Sequence, residues 1–161
     1  MNFLEDLQVG QTREFGSFTF TAESIKTFAR EFDPQTFHLD EDAAKRSALF
    51  GGLAASGWHV ASVSMGLRIR DAQRREAEAK ARGEDYAAWG PSPGFRDLRW
   101  VKPVLVGDTI TYASEVTDIR VSATRPGWGI MQASNTAKNQ HGVLVMSFTA
   151  SVFVPQRVTK G

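Results

Sequence analysis

The 161-residue chain contains no cysteine, which excludes disulfides, thiolate metal sites and cysteine nucleophiles. It has only three histidines, so a structural zinc site is not expected. No apolar run approaches the roughly 18 residues that a membrane-spanning helix needs. A formal net charge of +1 gives no electrostatic reason to expect binding to nucleic acid or to an anionic membrane.

Two further absences bear on location and on cofactors. The acidic start of the chain, Met1–Asp6, has no hydrophobic stretch, so a signal peptide is not expected. The sequence has no Walker-type loop and no Gly-x-Gly-x-x-Gly motif after a strand, so we expect no nucleotide-binding phosphate loop. The composition is 42% hydrophobic and 23% charged, which is typical of one globular domain spanning residues 1–161.

The most informative segment is FDPQTFH, in which Asp33 and His38 stand close together. Pro34 disfavours helical geometry at Asp33, so a preceding helix is expected to end there and to leave the carboxylate at a helix-to-loop junction. An acid and an imidazole this close converge on one water molecule. The pair therefore predicts general acid–base chemistry.

Several helices are expected around this segment. Thr21 is a candidate N-cap for a helix whose apolar residues recur with helical spacing, at Ile25, Phe28, Ala29 and Phe32. Residues 40–46 predict a short helix with acids first and bases last. A long helix is expected from about Ala55 to Gly83. Its first half is apolar nearly all round, which predicts burial, and its second half, Asp71–Arg82, alternates in charge and is expected to face solvent.

The remaining segments predict strands. Alternating or β-rich runs occupy residues 12–20, Phe95–Val101, Thr109–Ile119, Trp128–Lys138 and Val143–Val154. Residues 139–142 are typical of a hairpin turn between the last two strands. A sheet that wraps one long helix is an α+β architecture.

Gly57 stands where the long helix is expected to begin. A backbone N–H at a helix N-terminus stabilises negative charge that develops on a nearby oxygen. Glycine has no Cβ to obstruct an approaching carbonyl group. Together, Asp33, His38 and Gly57 supply what is needed to add water to a double bond conjugated to a carbonyl, or to remove it.

Structural interpretations of the same residues remain open. In these interpretations Asp33 is a turn residue and His38 is a packed imidazole. Gly57 then marks a close backbone approach, and Ser56 is only a helix N-cap. His59, inside the start of the long helix, is expected to be a packed residue. His141, in the hairpin turn, is expected to be exposed to solvent.

Three blocks, FDPQTFHLDEDAA, LFGGLAASGWH and LRWVKPVLVGDTI, together resemble the MaoC-like dehydratases, also called (R)-specific enoyl-CoA hydratases, of the hotdog fold. The resemblance extends from about Val9 to Val154. It implies a curved antiparallel sheet around a long central helix, with Asp33 and His38 as the catalytic dyad and Gly57 as the oxyanion amide. The residues expected to bind substrate are Phe37, Phe50, Leu53, Ser56 and Trp58.

The resemblance also implies an activity and a set of partners. We expect reversible hydration of 2-enoyl-CoA to (R)-3-hydroxyacyl-CoA, with the coenzyme A thioester as substrate and with neither a metal nor a cofactor. A cytoplasmic homodimer or larger homo-oligomer is expected, with no nucleic acid or membrane as partner. Two alternatives remain: a hotdog acyl-CoA thioesterase, and a non-catalytic hotdog that binds acyl-CoA.

The motif also departs from its usual form. The hydratase signature has Asn two residues after the acid and then Pro, whereas this chain has Gln35 and Thr36, with proline at Pro34. The residue before the oxyanion glycine is often His, and here it is Ser56. These positions flank the dyad and shape the acyl pocket, so the length and branching of the acyl chain are not predicted.

Overall fold

A computed structural model of the chain describes residues 3–157. A short 3₁₀ helix, Leu4–Asp6, precedes strand β1. The following elements are β1 (Thr12–Thr19), α1 (Ala22–Phe32), α2 (Thr36–Leu39), α3 (Glu41–Arg46), α4 (Gly57–Ala81), β2 (Gly94–Trp100), β3 (Thr109–Val121), β4 (Trp128–Lys138) and β5 (Leu144–Pro155).

The five strands form one antiparallel sheet in the order β1–β3–β4–β5–β2. Strands β1 and β2 are therefore the two edges. The predicted α+β architecture is confirmed, and a long helix against a five-stranded antiparallel sheet is the arrangement of the hotdog fold. The predicted hairpin turn is confirmed as well, since the Asn139 N–H donates to the Val143 carbonyl at 2.9 Å.

The helix boundaries follow the predicted caps. Thr21 caps α1 by accepting a hydrogen bond from the Ser24 N–H at 3.1 Å. The helix ends at Phe32 with Asp33 as its C-cap, because Pro34 follows. The short helix α2 was not predicted, because four residues carry no readable helical period. No helix within residues 3–157 is both long and apolar enough to cross a membrane.

Helix α4 has 25 residues and packs one face on the sheet. Tyr112 of β3 is buried there and donates its hydroxyl proton to the Val60 carbonyl at 3.1 Å. The main core lies between this helix face, α1 and the sheet, and its largest fully buried members are Phe20, Ile25, Leu53, Ile110, Tyr112, Val145 and Met146. Burying these apolar side chains is the main force that holds α4 on the sheet.

The prediction that the first half of α4 is buried all round is wrong for one face. Trp58, Met65 and Ile69 are 53%, 55% and 47% exposed, respectively. They lie at intervals of seven and four residues, so they form one exposed apolar stripe along the helix. The reason is geometric, because a single sheet covers only one side of a helix.

The expectation that residues 71–82 face solvent fails at Asp71, which is only 4% exposed. Its carboxylate binds the guanidinium groups of Arg13 at 2.6 Å, Arg74 at 2.8 Å and Arg75 at 3.3 Å. Arg13 belongs to β1, so this cluster ties the edge strand to the middle of α4. The buried negative charge is tolerated because three cations surround it.

Candidate active site

The turn between α1 and α2 brings Asp33 and His38 into contact. Asp33 Oδ2 lies 3.3 Å from His38 Nε2. The Gln35 N–H donates to the Asp33 carbonyl at 2.8 Å, and the His38 N–H donates to the Gln35 carbonyl at 2.9 Å. This tight backbone path folds the chain back after Pro34, so that the imidazole faces the carboxylate.

The protonation of the His38 ring is set by its second nitrogen. His38 Nδ1 lies 2.7 Å from the Ala54 carbonyl oxygen. A carbonyl oxygen only accepts hydrogen bonds, so Nδ1 carries a proton. The nitrogen that faces Asp33, Nε2, is therefore the one that gains or loses a proton. His38 is 5% exposed, which holds the ring in this orientation.

The Asp33 carboxylate is held from three sides. Gln35 Nε2 donates to Oδ1 at 2.7 Å, His38 faces Oδ2, and the Ser56 hydroxyl lies close enough to lower the pKa of the carboxyl. Burial by itself raises the pKa of Asp33, but the hydrogen bonds from Gln35 and Ser56 and the charge on His38 outweigh it. The net effect lowers the pKa of Asp33, so the group is a carboxylate at neutral pH.

Helix α4 begins beside this pair. Ser56 is its N-cap and accepts a hydrogen bond from the Trp58 N–H at 3.2 Å. The Gly57 N–H belongs to the first turn, whose amides have no acceptor within the helix. The positive end of the helix dipole lies at the same place. The carboxylate and the imidazole thus lie close to each other and near the residues that precede α4.

The space next to the Gly57 Cα is occupied by a side chain of the same chain. A Cβ placed on Gly57 would lie 2.4 Å from Cε2 of Trp100, and its three nearest heavy atoms all belong to that indole. Trp100 also donates its Nε1 proton to the Gly57 carbonyl at 2.9 Å. Glycine is therefore required at this position by the indole. The predicted reason, room for an approaching carbonyl, does not apply on this side of the residue.

Comparison with known proteins identifies the family. The family model for the MaoC-like domain matches residues 6–127. This chain belongs to the MaoC-like domain family.

Individual relatives agree with that assignment. The crystal structure of a MaoC-like dehydratase from Rhodospirillum rubrum is 36% identical, covers 98% of this chain and 99% of its own, and superposes with a TM-score of 0.78. The (R)-hydratase from A. caviae involved in PHA biosynthesis is 27% identical, covers 94% and 99% of the two chains, and has a TM-score of 0.68. The uncharacterized protein YdeM of Bacillus subtilis is 29% identical over 94% of this chain and 97% of its own.

The predicted substrate-binding residues of this MaoC-like domain occupy different environments. Phe37 and Phe50 are half-buried and pack against each other with ring centroids 5.0 Å apart, and Phe37 also contacts the His38 ring. Trp58 is exposed, with its ring 5.2 Å from that of Trp100.

Two other residues of that set are fully buried. Leu53 lies in the main core and is 1% exposed. Ser56 is also 1% exposed, and its hydroxyl is already engaged by Asp33 and by the Trp58 N–H. This placement suits Ser56 to orienting Asp33 better than to touching a ligand.

His59 and His141 lie in the environments that the sequence predicts, packed and exposed. His59 is 7% exposed and stacks on Phe28 with ring centroids 4.7 Å apart and an interplanar angle of 6°. Burial lowers its pKa to about 4, so it is neutral at pH 7. His141 is exposed in the hairpin turn.

Sequence reasoning missed three contacts that shape the site. They are the Ala54 carbonyl on the His38 ring, the Ser56 hydroxyl on Asp33 and the Trp100 indole on Gly57. Only Ser56 offered a local signal, as a helix N-cap residue. Within residues 3–157, no group of three or more His, Asp or Glu side chains is arranged to hold a metal ion.

Proposed function

We propose that this protein is a hydro-lyase that adds water reversibly to 2-enoyl-CoA and forms (R)-3-hydroxyacyl-CoA. The observation that carries the proposal is the 3.3 Å contact between Asp33 Oδ2 and His38 Nε2, with Nδ1 of the same ring held by a backbone carbonyl. The 27% identity to the (R)-hydratase from A. caviae over nearly the full length of both chains supports it.

The first role of the dyad is to activate water. A water molecule about 2.8 Å from both Oδ2 and Nε2 forms a triangle with them and hydrogen-bonds to each. The Asp33 carboxylate and the imidazole withdraw a proton from this water as its oxygen bonds to the β-carbon. The lowered pKa of Asp33 keeps this group ionised for that step.

The second role is to return a proton. Attack at the β-carbon moves the electron pair of the double bond towards the thioester, and the α-carbon then takes a proton from the dyad. The product contains the substrate and one water molecule, with no net oxidation or reduction. The reaction therefore needs no oxidant or reductant, and the coenzyme A thioester is the only ligand in the proposal.

The start of α4 stabilises the charge that forms between these steps. Negative charge accumulates on the thioester oxygen in an enolate-like transition state. The Gly57 N–H, at the first turn of a 25-residue helix, is the proposed donor to that oxygen. Loss of one such donor typically raises the barrier by about 3–4 kcal/mol.

We further propose that the working form is a homodimer and that the second copy covers the site. Two cavities, of about 300 and 200 Å³, lie elsewhere, and neither is lined by Asp33, His38 or Gly57. The Asp33 side chain is 19% exposed, so it reaches solvent in a single chain. The exposed stripe of Trp58, Met65 and Ile69 begins one residue after Gly57, so a partner packed on it lies next to the site.

The decisive experiment uses crotonyl-CoA and follows two signals together. Loss of the ultraviolet absorbance of the conjugated thioester reports hydration, and a colorimetric thiol reagent reports hydrolysis. We expect absorbance loss without thiol release. Release of thiol with the alkene intact would instead identify a thioesterase, and binding without either signal would identify a non-catalytic acyl-CoA binder.

Substitutions then test the catalytic roles of Asp33 and His38. Asp33→Asn and His38→Ala are each expected to lower kcat about 10²–10⁴-fold, since each removes a proton-transfer group. His141→Gln is the matched control, because His141 is an exposed histidine of the β4–β5 hairpin turn and not of the segment that carries the dyad. An active wild type whose Asp33→Asn or His38→Ala variant keeps near-full rate would remove the dyad from the mechanism.

A further inference from the structure

Trp100 makes two separate contacts with Gly57, the residue that carries the proposed oxyanion amide. Its indole N–H donates to the Gly57 carbonyl at 2.9 Å, and its ring fills the space where a Cβ would stand. The indole also packs edge-on against Trp58, the next residue of the helix. The first turn of α4 is therefore fixed from outside by a side chain 43 residues further along the chain.

An irregularity in β2 directs this indole to the helix. Arg96 pairs with Thr149 and Arg99 pairs with Ser147, so β2 contains one residue more than β5 over that interval. Within residues 3–157, Asp97 is the only non-glycine residue with a positive φ, at 57°, and it lies inside this bulge. One extra residue reverses which side of the sheet the following side chains face.

The consequence for Trp100 follows from its pairing. Trp100 lies opposite Met146, which is fully buried under α4. Phe95 lies opposite Ala150, which faces the same side of the sheet as Met146. Side chains alternate along a regular strand, so without the extra residue position 100 would point away from the helix. A strained backbone conformation in the strand thus brings the indole to Gly57.

We propose that Trp100 is a positioning residue that fixes Gly57 through its carbonyl and Cα, and thereby holds the Gly57 N–H in place for the thioester oxygen. This inference rests on the proposed hydratase function. Catalytic groups lose much of their effect when they shift by about 1 Å. A first helical turn is held by fewer backbone hydrogen bonds than the helix interior, because its amides lack intrahelical partners. The hydrogen bond and the ring contact together restrict that motion.

The packing part of the proposal is tested by thermal unfolding, without any substrate. In the wild type, Gly57→Ala forces a Cβ into the indole and is expected to lower the Tm. In a Trp100→Ala background the same change meets no indole, and alanine is a better helix former than glycine, so the Tm is expected to stay constant or rise. Equal losses of Tm in both backgrounds would show that Trp100 does not exclude a side chain at position 57.

The functional part is tested by steady-state kinetics with crotonyl-CoA. Trp100→Phe keeps a ring but removes the N–H, and we expect kcat to fall between about 10- and 100-fold with little change in KM. Phe95→Leu is the matched control, since Phe95 is an exposed aromatic residue of the same strand that packs on Phe148. Its kcat is expected to equal that of the wild type.

The outcomes separate this inference from the function on which it rests. A wild type that does not hydrate crotonyl-CoA overturns the hydratase proposal and the role of Trp100 with it. An active wild type with an equally active, folded Trp100→Phe variant overturns the role of Trp100 alone. A raised KM with unchanged kcat also overturns it, because that result describes a substrate contact rather than a positioning residue.

Discussion

The Ser56 hydroxyl faces the Asp33 carboxylate and lowers its pKa, and it accepts a hydrogen bond from the Trp58 N–H. One buried serine thus connects the acid of the candidate dyad to the N-terminus of the central helix. The two parts of the proposed mechanism, proton transfer and charge stabilisation, are therefore neighbours through a single side chain.

Removal of this hydroxyl is expected to change the pH dependence of the reaction. In Ser56→Ala the Asp33 carboxylate loses a donor, so its pKa rises. The acidic limb of the kcat/KM profile is expected to move to higher pH, because Asp33 then takes up a proton at a higher pH. Loss of the N-cap should also lower the free energy of unfolding by about 1 kcal/mol. Ser62→Ala, in an exposed position of the same helix, is the control, and an unshifted acidic limb in Ser56→Ala would refute this coupling.

His59 is expected to make the protein less stable in mild acid. Its pKa in the folded protein is about 4, below the ordinary value of 6.5, so the unfolded chain binds its proton first as the pH falls. The free energy of unfolding should drop by about 2 kcal/mol between pH 7 and pH 5 from this residue. Urea unfolding at the two pH values measures the drop.

Substitutions at His59 and His141 test whether His59 causes the loss of stability in acid. His59→Leu is expected to flatten the pH dependence, whatever its effect on stability at pH 7. His141→Gln, which changes an exposed residue, should retain the full slope. A slope that survives in His59→Leu would assign the acid sensitivity to another group.

Asp71 is expected to stabilise the fold at neutral pH. Burial opposes its ionisation, but hydrogen bonds from Arg13 and Arg74 outweigh burial and hold its pKa at about 2. Its contribution of about 2 kcal/mol is present above pH 3.8 and is lost as the pH falls towards 2. Asp71→Asn should lower the free energy of unfolding at pH 7 by about 2–4 kcal/mol in a urea titration, because it leaves cations without their anion.

The matched control for Asp71 is one of its exposed partners. Arg74→Gln removes a side chain that is 66% exposed, and it should lower the free energy of unfolding much less than Asp71→Asn does. Comparable losses from the two substitutions would mean that the buried carboxylate has no special role.

The proposed dimer predicts a molar mass equal to that of two chains, which stays constant across micromolar concentrations. Met65→Glu and Ile69→Glu place charges on the exposed stripe of α4 and are expected to give monomers in sedimentation velocity. Val121→Glu is the control, since Val121 is 63% exposed at the end of β3 and does not belong to the stripe. A wild-type monomer would refute the dimer, and a variant that stays dimeric would place the interface elsewhere.

Local sequence determined the elements of this fold and two of the residues that meet in the site. Thr21, Pro34 and the alternation in residues 143–154 act on their near neighbours, so helix ends and strands could be read without knowledge of the fold. The FDPQTFH segment likewise brings an acid and an imidazole together by a short backbone path. The ends of the predicted elements moved, as when α4 began at Gly57 rather than Ala55, and the short helix α2 was not predicted.

The tertiary structure decided what surrounds those residues. The Ala54 carbonyl that sets the tautomer of His38 is 16 positions away from it, and Trp100 is 43 positions from Gly57. Neither contact follows from propensity, because each depends on how α4 and the edge strand β2 pack. The exposed stripe on α4 has the same origin, since sequence reports how apolar a helix is, and only packing determines which of its faces are covered.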